Sequence, residues 1–468
     1  MNNSQKMRYV LFLCLLAAGS STITGCIPDS ERVDPNYRGG LAFSADTVRF
    51  DTLFSSVGST SKRLMVFNRS PAALNISRIA LGMGTGSSYT LTVNGFKGVE
   101  SRDVLVLGGD SLLMLVEVLI DPKDKDTPFL VKDSIVFETN GILQDIKLIS
   151  WGQDAVFKGN EVLPCVSVWT AGRPYVLYGS VLIDSLCSLR LEAGTRVYSS
   201  PNSFIFIRGS LEVAGTGENR VFFRNDRVEP RYENAPGQWG GLIFLEGSSG
   251  SILDYAVIRN AQYGLRIGTP DSDTIPDVIV RNTIIENMSR SGILNFTSDV
   301  WVENTLVNNC ADFAAGNFGG GNYRYWHCTF ANYGFSFLRG DPCFAATDFI
   351  RLANDSVIRA PLNLTVVNSI IDGNLRDELL IDNSGGQPVR VHLAHNLLKT
   401  TQSEYDVNNN LLNLNPRFID PFRYNYRLDT LSPAVNKGLP PGTTLDLDGM
   451  PRDSLPDIGA YERIENQP

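Results

Sequence analysis

Val280-Arg281-Asn282-Thr283-Ile284-Ile285-Glu286-Asn287 and, 22 residues later, Val302-Glu303-Asn304-Thr305-Leu306-Val307-Asn308-Asn309 are two copies of one pattern. Weaker copies follow at Tyr325-Trp326-His327-Cys328-Thr329-Phe330-Ala331 and at Val366-Val367-Asn368-Ser369-Ile370-Ile371. Another, Ala256-Val257-Ile258-Arg259-Asn260, lies upstream. A period of this length in Gly- and Asn-rich, β-branched text signals stacked coils of parallel strands, not a helical solenoid. Val257, Ile284, Leu306, Phe330 and Ile370 are expected to point inward and stack coil on coil. Asn260, Asn287 and Asn309 follow three residues after the first three. Asn accepts the left-handed conformation that a tight corner needs, and stacked Asn side chains hydrogen-bond along the stacking axis. At ~22–25 residues per coil the repeat region makes roughly ten coils, a rod about 50 Å long.

Working outward, residues 41–155 have a different texture. Thr47-Val48-Arg49-Phe50, Lys62 to Phe67, Leu112 to Ile120, Ser134 to Glu138 and Ile146 to Ile149 read as short strands. Turn clusters such as Asn68-Arg69-Ser70-Pro71, Gly108-Gly109-Asp110 and Thr139-Asn140-Gly141 punctuate them. Regular short strands with turn signals describe a sandwich. The expected fold class is therefore all-β: an N-terminal immunoglobulin-like β-sandwich followed by a right-handed parallel β-helix. The boundaries fall at 41–155 for the sandwich, 156–410 for the β-helix and 411–468 for C-terminal coils and a cap.

Leu189-Arg190-Leu191-Glu192-Ala193-Gly194-Thr195, Gly209 to Thr216 and Pro236-Gly237-Gln238-Trp239-Gly240-Gly241 carry a family likeness. So do Asn415-Pro416-Arg417-Phe418, Ser432-Pro433-Ala434 and the ending Asp457-Ile458-Gly459-Ala460-Tyr461-Glu462. With Phe50 to Phe54 in the sandwich, the set resembles the Bacteroidetes right-handed β-helix lipoproteins of the choice-of-anchor type. The resemblance covers nearly the whole mature chain. It implies a pectate-lyase-like fold on a cell-surface lipoprotein, and no particular activity, because members of this type are largely of unassigned function.

The start of the chain agrees with export. Lys6 and Arg8 precede a nine-residue apolar run, Val10 to Ala18, which is too short to span a bilayer but suits a signal peptide. Ile23-Thr24-Gly25-Cys26 looks like a lipobox, with Cys26 as the lipidated residue. Cys14 is the alternative, but bulky Leu13 precedes it. Residues 1–25 are thus expected to be removed and 26–40 to form a lipidated linker. Acyl chains would hold the body at a membrane surface. Asp29 and Glu31 resemble the acidic stretch that routes such lipoproteins outward, giving an outer-membrane, surface-exposed location. The triplet Asp-Ser/Thr-aliphatic, as in Asp46-Thr47-Val48, Asp184-Ser185-Leu186, Asp273-Thr274-Ile275 and Asp453-Ser454-Leu455, occurs nine times. It looks like the O-glycosylation signal of exported Bacteroidetes proteins, and reads equally as a common turn.

The formal charge of −9 argues against nucleic acid as a partner. Of seven cysteines, Cys165 and Cys187 lie 22 residues apart, one coil length. They read either as a disulfide between neighbouring strands or as two buried thiols. No paired-carboxylate or lyase constellation is recognisable among the coils, and no catalytic residue is assigned. Of the three histidines, His327, His392 and His395, the last two are close in sequence, but a two-His site with no third ligand is a poor zinc candidate, and the reading is solvated coil positions. Asp446-Leu447-Asp448-Gly449 resembles part of a calcium loop, or more simply a turn. Asp271, Asp273 and Asp277 form a second acidic loop of the same kind. No cofactor is expected.

The aromatic residues Trp301, Tyr323, Tyr325 and Trp326, with Phe318, Tyr333, Phe335 and Phe337 beside them, crowd three coils. Exposed, they form a platform for sugar rings. Pointing inward by alternation, they fill the core. The expectation is a non-catalytic protein that binds polysaccharide or a surface glycan. The alternatives are a polysaccharide lyase or glycoside hydrolase of unrecognised type, or a structural rod.

Overall fold

The computed structural model describes residues 29–268, 275–334, 338–440 and 443–463. They form two compact units that divide between Asp154 and Ala155. The first is a sandwich of two five-stranded sheets. Ala42–Phe43, Lys62–Phe67, Ser111–Val118, Tyr89–Val93 and Phe96–Gly98 make one sheet, antiparallel throughout. Thr47–Phe54, Ile142–Gln153, Phe129–Thr139, Leu74–Leu81 and Glu100–Val106 make the other, with Thr47–Phe54 pairing parallel to Ile142–Gln153. Alternation sends Leu64, Val66, Met114, Val116, Ile135 and Phe137 into a shared core in which none of them is exposed. Asn140 and Gly141, with φ of 51° and 77°, make the tight turn between the two longest strands of the second sheet.

The second unit is the right-handed parallel β-helix. Successive coils add strands to an eleven-stranded sheet and to a sixteen-stranded sheet. The sixteen-stranded sheet turns a corner. Ile293–Glu303 pairs through its first half with Leu265–Ile267 and through its second half with Val278–Arg281. The bend falls at Thr297, φ 49°, where the ladder to Ala315–Trp326 shifts register. Facing it, Gly319, Gly320 and Gly321 all have positive φ, and a side chain on Gly320 would run into the Ala360 carbonyl.

The inner stack is offset by one residue from the sequence expectation. Ile258, Ile285, Val307, Phe330, Ile371 and Leu398 lie in register and are wholly buried. Of the residues expected inward, only Phe330 belongs to this stack. Val257, Ile284, Leu306 and Ile370 point to the opposite face of the eleven-stranded sheet, because a shift of one residue along a strand exchanges its two faces. They are apolar because that face is covered. Leu411–Leu412 adds one last strand to the stack, and the chain then returns across the outside of the sheet. Tyr426, Leu447, Ala460 and Tyr461 pack on Leu306, and Leu428, Ala434 and Ile458 pack on Ile370 and Leu397.

Two corner ladders run along the stack. Asn260, Asn287 and Asn309 adopt φ of 63°, 62° and 51°. The Asn260 amide donates to Asn225 Oδ1 at 2.7 Å, and the Asn309 amide to Asn287 Oδ1 at 2.5 Å. The second ladder, Asn282, Asn304, His327, Asn368 and His395, has φ between 45° and 53°. The returning segment is bolted to it. Arg452, its side chain fully buried, donates to Asn304 Oδ1 at 3.0 Å and pairs with Glu462 at 3.1 Å. Glu462 also accepts the Asp457 N–H at 3.0 Å. Burial pushes the Glu462 carboxyl up to about 7; the Asp457 N–H and Arg452 oppose the shift, and the Asp457 charge adds to it.

A carboxyl with a raised folded value holds its proton more tightly in the native state than in the unfolded chain. Its contribution is complete below the ordinary glutamate value of 4.5 and is lost as pH rises through about 7. Melting temperature is therefore expected to fall between these pH values more steeply in the native chain than in Glu462→Gln, and parallel curves would refute the assignment. At pH 8, where Glu462 is ionised, Arg452→Ala strands the carboxylate and is expected to cost about 3–5 kcal/mol in denaturant unfolding.

Candidate functional site

The strands Ser251–Asp254, Val278–Arg281, Ile293–Glu303, Ala315–Trp326, Leu362–Val367 and Val389–Ala394 build one broad face of the β-helix. Alternation decides what it presents. Val300, Val302, Tyr323, Tyr325, Leu364 and Val366 point inward and are buried. Asp299, Trp301, Glu303, Asn322, Arg324 and Trp326 point outward.

This corrects half of the aromatic platform. Tyr323 and Tyr325 are 1% and 0% exposed. The Tyr323 hydroxyl donates to the Gly320 carbonyl at 2.7 Å and accepts the Ser298 N–H at 3.3 Å. The Tyr325 hydroxyl donates to Asn317 Oδ1 at 2.6 Å, and its ring meets Phe330 and Phe344 edge-on at 5.4 and 5.1 Å. Both phenols are pushed up by burial and stay protonated. Their hydroxyls face the core and are not available to a ligand. Phe318 packs against Phe313 at 5.2 Å on the neighbouring stretch of sheet. Phe335 and Phe337 lie outside the described residues.

Trp301 and Trp326 remain, on adjacent coils. They line a hollow of about 220 Å³ with Glu303, Arg324 and Thr443. Arg324 sits directly across from Trp301 in the ladder, and its guanidinium lies 4.7 Å from the Trp301 ring centroid. Such a contact is worth ~0.5–1 kcal/mol at an exposed site and holds the cation over the ring. Glu303 faces Arg281 at 3.5 Å. Trp326 Nε1 and Thr443 Oγ1 are buried polar atoms without a hydrogen-bond partner. Beside the hollow runs a polar ladder in which the Asn363 amide donates to Asn322 Oδ1 at 2.7 Å and the Asn322 amide to Asp299 Oδ1 at 2.5 Å. The arrangement offers a flat aromatic surface, a fixed cation and a row of amides. Arg324 and Glu303 were not singled out from sequence, although the same period-two count that places Trp301 and Trp326 outward places them there too.

The other sequence candidates are placed as follows. Cys165 and Cys187 form a disulfide joining the starts of strands on neighbouring coils, with Cα atoms 4.4 Å apart. Cys310, Cys328 and Cys343 are free and buried, and burial pushes the Cys310 and Cys328 thiols up to about 12. Asp446 accepts backbone N–H groups from Asp448, Met450 and Glu462, and Asp448 pairs with Arg427 at 2.6 Å. Both oxygens of Asp446 are thus used in holding a turn of the returning segment. Asp271 and Asp273 lie outside the described residues, while Asp277 is buried and accepts the Asp299 N–H at 2.8 Å.

The expectation of three solvated histidines fails for His327. It is buried in the corner ladder with Nε2 2.9 Å from the Asn368 amide, and burial beside Arg452 holds it neutral. His392 is exposed on the broad face. His395 donates through Nδ1 to the Lys437 carbonyl at 2.9 Å, leaving Nε2 to accept from Asn409 at 3.1 Å. Among the described residues no group of three or more His, Cys, Asp or Glu is placed to hold a metal ion. Of the Asp-Ser/Thr triplets, Ser185, Ser356, Thr430 and Ser454 are exposed, and the Asp184 carboxylate accepts the Ser185 N–H at 2.8 Å. Cys26 and Thr274 lie outside the described residues.

No family model and no curated protein matches the chain. Among solved structures, a family 123 glycoside hydrolase from Clostridium perfringens aligns at 7% identity and a TM-score of 0.20, covering 28% of this chain and 30% of that one. The chain thus spans less than a third of that structure. The catalytic unit of a GH87 α-1,3-glucanase from Streptomyces thermodiastaticus aligns at 12% identity and a TM-score of 0.32, covering 72% of this chain and 75% of that one. At these scores neither likeness bears on the activity of the present chain.

The thiol pattern is directly testable. Alkylation of the native, non-reduced chain is expected to leave Cys165, Cys187, Cys310, Cys328 and Cys343 unmodified. Unfolding without reductant should expose three of these five, and unfolding with reductant all five, by peptide mass spectrometry. Modification of Cys165 or Cys187 without reductant would rule out the bridge.

Proposed function

We propose that this chain is an exported lipoprotein, held at the outer membrane by acyl groups on Cys26, whose β-helix binds glycan in the Trp301–Trp326 hollow without cleaving it. The observation that carries this reading is the pair of outward tryptophans on adjacent coils, with Arg324 fixed on one ring. Aromatic faces take the apolar face of a sugar ring, and the edges of such a site supply hydrogen bonds to its hydroxyls. The amide ladder of Asn322 and Asn363 beside the hollow supplies groups of the right kind. Glycoside hydrolysis uses two carboxyl groups flanking the scissile bond. Among the described residues a single carboxyl, that of Glu303, lines the hollow, and it faces Arg281. The sandwich serves as a spacer or docking unit in this reading, and the exposed Ser185, Ser356, Thr430 and Ser454 are the triplets most open to O-glycosylation.

Affinity electrophoresis against plant, host and bacterial polysaccharides tests the binding. Retardation by at least one glycan is expected. Trp301→Ala and Trp326→Ala should each weaken it roughly tenfold or more, the loss of one stacking partner. Tyr325→Phe, which removes only a buried hydroxyl, should leave it unchanged. No retardation across the panel would turn the reading to a structural rod, and release of oligosaccharide products would turn it to an enzyme. Separately, Cys26→Ser is expected to abolish incorporation of labelled palmitate and detergent-phase partitioning.

A further inference from the structure

The broad face changes character along the stack. On its early strands basic residues stand beside acids. Arg190 pairs with Glu212, and Arg281 faces Glu303. On its late strands they do not. Leu362–Val367 and Val389–Ala394 contain no carboxylate. Asn363 and Thr365 point outward on the first of these strands, and Arg390 and His392 stand exposed on the second.

Register fixes where these groups fall. Trp301, Arg324, Thr365 and His392 form one outward column, and Asp299, Asn322, Asn363 and Arg390 form the column beside it. The strand that carries Arg390 and His392 therefore lies two strand spacings, about 10 Å, beyond the strand that carries Arg324. Neither Arg324 nor Arg390 has a carboxylate partner among the described residues. Arg324 is held by the Trp301 ring at the edge of the hollow. Glu303, in the same hollow, faces Arg281, and Asp299 accepts the Asn322 amide. A patch of unpaired cations on a chain of formal charge −9 draws anions to that one place. A guanidinium fork matches the oxygens of an acid group and binds them through charge-assisted hydrogen bonds.

We propose that the glycan of the Trp301–Trp326 hollow is acidic, with a carboxylate or sulfate on every second ring, and that it runs along the stack from the hollow to the last strand of the broad face. One acid group lies on Arg324 and the next on Arg390 and His392. The ring between them passes Thr365 and the Asn322 and Asn363 amides. Two strand spacings are about the length of a disaccharide, and this sets the spacing of the acid groups. The inference rests on the reading of the hollow as a glycan site and adds the charge of the ligand and the line it takes.

The test is isothermal titration calorimetry on the full chain. The ligands are oligosaccharides of hyaluronan, with a carboxylate on alternate rings, and of κ-carrageenan, with a sulfate on alternate rings. Neutral glucan, mannan and xylan oligosaccharides are the controls, together with poly-L-glutamate, an acidic chain without sugar rings. At least one of the two acidic glycans is expected to bind, roughly tenfold or more tighter than any control, and to weaken as salt is raised. Arg390→Gln should lower that affinity about fivefold and flatten its salt dependence with the melting temperature unchanged, and Trp326→Ala should lower it roughly tenfold. A neutral glycan bound more tightly than both acidic ones, with Arg390→Gln without effect, overturns this inference and leaves the glycan reading of the hollow standing. Equal binding of poly-L-glutamate also overturns it, because the cations then act as bulk charge. Acidic glycan binding that ignores Trp326→Ala, or no binding of any glycan, overturns the inference and the reading of the hollow together.

Discussion

Everything in the second unit depends on parallel pairing in register between one coil and the next. Each inward residue rests on its counterpart above and below, so a single column such as Ile258, Ile285, Val307, Phe330, Ile371 and Leu398 is at once a hydrogen-bond ladder and a hydrophobic stack. The outward columns inherit the same order. Trp301 meets Arg324 because the register places them opposite, and Asp299, Asn322 and Asn363 link because their columns coincide. The site is a by-product of the period. Thr443, from the returning segment, is a wall residue that the period does not supply.

The returning segment is the second organising element. It explains why one sheet is apolar on both faces, as a parallel sheet covered on both sides is expected to be. Its attachment is polar at the corners and apolar between them. Arg452 and Glu462 hold it to the Asn304 corner, the Ala460 N–H donates to Thr329 Oγ1 at 3.0 Å, and Arg220 reaches the Leu447 carbonyl from a much earlier coil. The segment therefore ties early coils to late ones, which nearest-neighbour stacking alone does not do.

Much of this was legible in the residues. The repeat of 22 announced the coils, the Asn positions announced the corners, and Thr139-Asn140-Gly141 announced a turn. The inward column was misread by one place because Val257-Ile258, Ile284-Ile285 and Leu306-Val307 are apolar at both positions, so hydrophobicity alone has no period-two signal there. Only the returning segment, far off in sequence, explains the second apolar residue. Tyr323 and Tyr325 were placed beside Trp301 and Trp326 by composition, whereas alternation separates them. Leu74–Leu81, Tyr89–Val93 and Glu100–Val106 escaped notice as strands. Glu100-Ser101-Arg102-Asp103 is an edge strand with little to bury, and edge strands lack the alternation that reveals central ones. His327 went astray because a histidine serving as a corner residue has no sequence mark of its own.

A stack of coils behaves as a one-dimensional array, with each coil stabilised mainly by its neighbours. Such an array peels from its ends, because a terminal coil has a partner on one side only. Here the two ends of the stack differ. The first coil is stitched to the second by the Cys165–Cys187 bond, a link that on chain-entropy grounds is worth about 3 kcal/mol for a loop of this size. The last strand, Leu411–Leu412, has only two residues in its ladder and no covalent link. The two ends are thus guarded by different means, a covalent bond at the early coils and, at the late ones, the packing of the returning segment on Leu397 and Leu411.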